Sequence, residues 1–195
     1  MSSVDALGLL ASVVFLVRLL PQPVRLARRP QVVAGVSALA ALQAVVAAGA
    51  WVAYGLDRGL PVVWGVSVAA LVPCLWQLAL VRRVVAGRDL AWCGGFVAVL
   101  VAAWFGGLFA VALSLTAAVT LAPQVRTAVT EHDLSGLAPA TWWVAIVDAS
   151  VWGAYGLAVG DRALLGYFAV LVTASVVVLG RIAWTGRAGL ARMAP

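Results

Sequence analysis

Asp148 stands where a carboxylate does not ordinarily stand, in the middle of the apolar run TWWVAIVDASVWGAYGL that begins at Thr141. Placing Asp at the centre of a membrane helix costs about 2.5–3.5 kcal/mol on insertion scales, and such residues mark substrate or proton pathways. It can be held there protonated, paired with a cationic group of a solute, or hydrogen-bonded to a neighbour such as Thr116 or Thr120. Trp152 follows four residues later, on the same helix face, giving the column Val144, Asp148, Trp152. A second column, Gln43, Ala47, Trp51, has the same spacing. An indole offers a flat apolar face and one donor, which suits the C–H face of a sugar or an organic cation. Trp51, Trp152, Asp148 and Gln43 are therefore candidate solute-binding residues. Tyr54 with Arg58, and Tyr155 with Asp161 and Arg162, come within about two turns and can pair as an outer gate.

Other polar groups read more plainly. Trp92, Trp104 and Trp184 fall at expected helix ends, as an interfacial aromatic belt requires. Glu131, His132 and Asp133 lack metal-ligand spacing and read as a solvated loop. Cys74 and Cys93 lie in apolar segments without His partners, so buried thiols are expected and no metal site. No Ser/His/Asp set or phosphate-binding glycine loop appears, so an enzyme is not expected, nor is any cofactor.

The elements that position these residues are written twice. LLPQPVRLARRPQ begins at Leu19 and LAPQVRTAV at Leu121, each carrying an apolar run into a Pro-Gln pair followed by arginine. Gly35, Trp51, Tyr54, Gly55 and Leu56 recur 101 residues later as Gly136, Trp152, Tyr155, Gly156 and Leu157. The pairs Pro21-Gln22 and Pro123-Gln124 are 102 apart, so one loop is a residue longer. A repeat of this kind fixes architecture before any other signal. Proline inside a helix removes a backbone donor and clashes with the carbonyl four residues before it. Each Pro-Gln pair is thus a candidate hinge or cytoplasmic gate, with the glutamine amide available to the freed backbone groups.

With 65% hydrophobic and 10% charged residues, and a mean hydropathy of +1.08, the chain carries more apolar surface than a soluble domain can bury. Runs close to the ~20 residues that span a bilayer recur throughout. The expected spans are about Val4 to Leu20, Val36 to Leu56, Leu60 to Leu80, Leu90 to Phe105, Gly107 to Ala122, Leu137 to Leu157, and Arg162 to Gly180. Leu90 to Ala122 is uncharged and too long for one span; aligning Asp5 with Gly107 divides it. The start, MSSVDALGLL, lacks a basic segment and a cleavage site, and reads as part of the first span.

The net charge of +6 comes from arginine alone. Basic character here orients a membrane protein and does not point to nucleic acid. With seven spans, Arg25, Arg28, Arg29, Arg82, Arg83, Arg88, Arg126, Arg187 and Arg192 fall on one side. Arg18 and Arg181 can snorkel to it, and only Arg58 and Arg162 fall opposite. The positive-inside bias then puts the N-terminus outside and the C-terminus in the cytoplasm. The arginine bias is a compositional hint of GC-rich coding, and the expected location is a membrane, the plasma membrane of a bacterium. The expected fold is all-α: seven transmembrane helices, two parallel three-helix bundles joined by a linker helix. Residues 1–81 form the first triple-helix repeat, 82–106 the linker loop and fourth helix, 107–184 the second repeat, and 185–195 a short cytoplasmic tail.

Two Pro-Gln pairs, each followed about thirty residues later by W-x-x-Y-G, resemble the PQ-loop membrane proteins, and among them the SWEET sugar transporters and half-sized SemiSWEET relatives. The resemblance covers nearly the whole chain. It implies one solute pocket between two bundles, working by alternating access without ATP. SWEET-like proteins carry a sugar-binding Asn in the third and seventh helices; the matching positions here are Val66 and Phe168, with Ser67 and Tyr167 beside them as candidate binding residues. The leading expectation is a transporter of a small polar solute, sugars first. Proton-coupled movement of an amino acid or cation is the alternative, and a membrane receptor or assembly factor an alternative of another class. Expected partners are the solute and the bilayer, with a homo-oligomer open.

Overall fold

The computed structural model describes residues 2–35, 37–131, 134 and 139–193. Among these every regular element is a helix: α1 (Ser3–Leu19), α2 (Pro21–Arg28), α3 (Ala38–Asp57), α4 (Pro61–Val81), α5 (Gly87–Phe105), α6 (Phe109–Thr130), α7 (Pro139–Val159) and α8 (Arg162–Met193), with short 3-10 turns at Pro30–Gly35 and Arg82–Val84. Among the described residues six helical segments are long and apolar enough to cross a membrane, Ser3–Arg28 being one, and Phe109–Ala122 is a shorter apolar stretch within α6. Large apolar side chains such as Leu9, Val13, Val17, Val72, Val99 and Phe105 are exposed on helix surfaces, as hydrocarbon contact requires. The molecule is built as a multi-pass membrane protein.

The long uncharged stretch divides at Gly106 and Gly107. Gly107 takes φ +72°, a left-handed backbone that L side chains rarely adopt, and the chain turns from α5 into α6. The turns α3–α4 and α7–α8 repeat each other in detail. Gly59 and Gly160, 101 apart, have φ +65° and +69°. Leu60 N donates to Gly55 O and Asp161 N to Gly156 O, both at 2.8 Å. The closing glycine of each W-x-x-Y-G lets paired helices approach: a Cβ on Gly55 would sit 2.6 Å from Trp64 N, and one on Gly156 2.8 Å from Leu164 Cβ.

The Pro-Gln segments do not match. The first breaks its span: α1 ends at Leu19, the chain bends at Leu20, and Pro21 opens α2 at a position where no amide donor is needed. Pro21 and Gln22 are exposed, and the Gln22 amide makes no hydrogen bond among the described residues. It does not satisfy the freed backbone groups. In the second copy the backbone is helical from Phe109 to Thr130, through Pro123 and Gln124. The last helix also differs from expectation. It runs to Met193 instead of ending near Gly180, so the segment read as a tail is mostly helical. Of the acidic loop cluster, His132 and Asp133 lie outside the described residues.

The two copies of the sequence repeat make two halves of the chain, α1–α4 and α6–α8, with α5 between them. α4 lies against both α1 and α3, while α8 lies against both α6 and α7. α5 touches α3 and α6. Across the halves α1 packs on α7, and α3 packs less extensively on α6.

Candidate solute cavity between the halves

Trp51 and Trp152 sit in matching aromatic settings. Trp51 meets Tyr54, and Trp152 meets Tyr155, each with ring centroids 5.8 Å apart and planes at 87°. Such edge-to-face packing suits the ring quadrupoles. A third ring completes each cluster, Tyr167 at 6.0 Å from Trp51 and Phe15 at 6.3 Å from Trp152. Both tryptophans face a cavity of about 250 Å³.

That cavity draws its wall from five helices, α1, α3, α4, α6 and α8, and from Trp152 on α7. No residue of α5 contributes to the wall. It reaches from the level of Trp51 to Ala40 in the first turn of α3, a length of about 16 Å at the rise of an α-helix. Ser67 and Tyr167, expected to bind solute, line it; so do Thr116 and Thr120. Gln43 is half-buried and outside the wall; its neighbours Ala44 and Ala47 line it instead. Val66, at one of the positions that hold Asn in SWEET-like proteins, lines the cavity, whereas Phe168 packs where a Cβ on Gly153 would sit.

Asp148 is fully buried and does not line the cavity. Its partner is Arg18, 130 residues earlier on α1: Arg18 Nε lies 3.3 Å from Asp148 Oδ2. Tyr167 OH donates to the same oxygen at 3.1 Å, and Arg18 Nη2 donates to Tyr167 OH at 3.0 Å. Arg18 therefore does not snorkel to the helix end. A buried carboxylate attracts it inward, and ring and phenol contacts hold it there. Thr116 and Thr120, the expected hydrogen-bond partners of Asp148, instead donate to carbonyls of their own helix. Sequence reasoning missed the pair because each charge was read on its own helix. The available signal was that Arg18 and Asp148 both depart from the repeat, which has Thr120 and Ala47 at the equivalent positions.

One end of the cavity is closed by contacts between halves. Ala11, Val63, Val66, Trp152, Tyr155 and Leu164 form one buried apolar cluster; Tyr54, Leu113 and Ala163 form another. Tyr54 OH donates to Asp161 Oδ2 at 2.7 Å, while Asp161 Oδ1 caps α8 by accepting from Leu164 N at 3.0 Å. Of the expected outer-gate residues, Tyr54, Tyr155 and Asp161 are thus buried at this end; Arg58 and Arg162 are exposed. At the other end the halves keep separate cores. Leu26, Ala38, Ala41 and Val81 belong wholly to the first half, and Ala128, Trp142 and Val178 to the second. Pro21 and Gln22 lie at this end, and so does the backbone of Pro123 and Gln124. Among the described residues no group of His, Cys, Asp or Glu is arranged to hold a metal ion, and Cys74 and Cys93 are free thiols.

Comparison with known proteins adds no relative: no family model, no curated protein and no solved structure matches the chain.

Proposed function

We propose that this protein is a transporter of the PQ-loop, SWEET-like kind, moving a small polar solute, sugars first, by alternating access without ATP. The observation that carries the reading is one cavity between two repeat-related halves, sealed at one end by contacts across the halves and bordered at the other by cores that stay separate. That is the shape of one state of a rocking carrier, in which closing the Pro-Gln end and parting Tyr54 from Asp161 would carry the solute across. The pairing of helices within each half, with the third between the first two, supports three helices, a linker helix and three helices in parallel repeats. Under this arrangement the arginine-rich Pro-Gln end faces the cytoplasm of a bacterial cell. Asp148 is turned from the cavity and matched by Arg18, so it offers no free carboxylate to a cationic solute.

Counterflow of labelled glucose, sucrose and amino acids into proteoliposomes, with and without a pH gradient, tests the proposal. A neutral sugar should exchange at a rate independent of the gradient. Trp51→Ala and Trp152→Ala should each lower uptake at least tenfold while the protein remains folded, since each removes a wall of the cavity. Solute binding without exchange would favour a receptor and sink the transport reading.

A further inference from the structure

The two members of the buried ion pair are placed unequally. Asp148 has no exposed side-chain surface, whereas Arg18 keeps 23% of its own and lines the cavity. Behind the guanidinium stand Asp148 Oδ2 and Tyr167 OH, and the Phe15 ring lies 5.6 Å from its Cζ. Its Nη1 makes no hydrogen bond among the described residues. A guanidinium carries five N–H donors in a rigid fork, matched to paired oxygen acceptors. The hydroxyls of Thr116 and Thr120 on the same wall turn their hydrogens to their own helix. No carboxylate lines the cavity, so Arg18 is its one charged wall group among the described residues.

We propose that Arg18 anchors the solute and selects its charge, with Asp148 and Tyr167 as positioning residues: the cavity takes solutes presenting paired oxygen acceptors, as vicinal hydroxyls or a carboxylate do, and turns away cations. Asp148 neutralises the guanidinium for the fold, yet a solute in the cavity meets the positive member first. The proposal rests on the reading of this cavity as the solute path, and it names the chemistry that path selects.

The test needs no knowledge of the natural solute. In the chain carrying Cys74→Ala and Cys93→Ala, Ala47→Cys places a single thiol on the part of the cavity wall formed by α3. Its reaction rates with an anionic (sulfonatoethyl) and a cationic (trimethylammonioethyl) methanethiosulfonate are compared with those of a free thiol. The anion-to-cation ratio should exceed that of the free thiol by on the order of tenfold. Asp148→Asn should raise it further, and Arg18→Gln, leaving the acid alone, should invert it. Should the single variants fail to fold, Arg18→Gln with Asp148→Asn removes both charges and should return the ratio to the free-thiol value. An unaltered ratio across these proteins, or no anion preference in the parent, overturns charge selection alone. No reaction with either reagent, while a thiol at exposed Arg58→Cys reacts, overturns the solute path and this proposal with it.

Discussion

Two seams join the halves, and the repeat allows them to be compared position by position. On the α1–α7 seam Arg18 meets Asp148. The equivalent positions on the α3–α6 seam are Thr120, 102 residues after Arg18, and Ala47, 101 before Asp148. The first seam is closely packed, down to Gly8, where a Cβ would lie 2.9 Å from Tyr155 Cε2. The second is lined by Ala44, Ala47, Thr116 and Thr120, and the cavity lies along it. Equivalent positions thus carry two contents: a charged pair on the α1–α7 seam, small side chains beside the cavity on the α3–α6 seam. A guanidinium and a carboxylate occupy volume on the first seam where the second carries only a hydroxyl and a methyl.

Breaking the charged seam should have the largest effect. Arg18→Ala leaves a buried carboxylate without its cation, and removal of one partner of such a pair typically costs about 3–5 kcal/mol. Tyr167 alone cannot replace it, since Asp148 Oδ1 has no hydrogen-bond partner among the described residues. Asp148→Ala should cost a similar amount by stranding the arginine. Replacing both together, Arg18→Met with Asp148→Leu, should cost clearly less than either single change. Reversible unfolding in mixed micelles measures all three. A double variant as unstable as the two losses added would show that the residues are not coupled, and the contrast between the seams would lose its charged member.

A smaller effect belongs to the closed end. Tyr54 donates to Asp161 across the halves, whereas its repeat mate Tyr155 belongs to the apolar cluster on which Leu60, the mate of Asp161, packs, and makes no hydrogen bond among the described residues. A hydrogen bond to a charged acceptor is worth about 1.5–3 kcal/mol. Tyr54→Phe should remove it, leave the Asp161 cap on Leu164 intact, and raise amide exchange around the α3–α4 and α7–α8 turns. Tyr155→Phe should leave that exchange nearly unchanged. Equal responses would mean that the end is held by apolar packing alone.

The sequence made the elements legible and left their partners obscure, for a physical reason. The expected spans left short breaks between Leu56 and Leu60, at Gly107, and between Leu157 and Arg162, and in each of them a glycine takes the left-handed backbone: Gly59, Gly107 and Gly160. Trp51 and Trp152 could be placed on inward faces because helical periodicity depends only on the local chain. Gln43 could not, since the same periodicity leaves a ring of neighbours eligible and packing against α4 and α6 chooses among them. Arg18 was the hardest. Its distance from the helix end suggests snorkelling, and only the approach of α7 supplies the carboxylate that outcompetes solvent. The break at Pro21 and the unbroken helix through Pro123 likewise come from identical dipeptides. The residues after each dipeptide differ, PVRLARR against VRTAVTE, and the second proline of the first copy, Pro23, is buried at the bend.

The smallest effect should fall on the residue that occupies Arg18's place in the second repeat. Thr120 lies on the hollow seam, and its hydroxyl donates only within α6, to Thr116 O at 3.2 Å and Ala117 O at 3.0 Å. Those carbonyls also belong to the helix ladder, so losing the hydroxyl leaves them paired. Side-chain back-bonding of this kind mildly opposes helix geometry, and Ala has the higher helix propensity. The removed atoms border an existing cavity, so no new enclosed void appears and the usual penalty for deleting core volume does not arise. Thr120→Ala should therefore change stability by less than about 0.5 kcal/mol, against the several kcal/mol of Arg18→Ala at the equivalent position. It should still widen the cavity, and under the proposed transport function that lowers apparent affinity two- to threefold while leaving maximal flux in place, as concentration-dependent counterflow would register. A loss of stability comparable with Arg18→Ala would mean that the α3–α6 seam is as tightly held as its counterpart, and that the cavity is not where the two halves part.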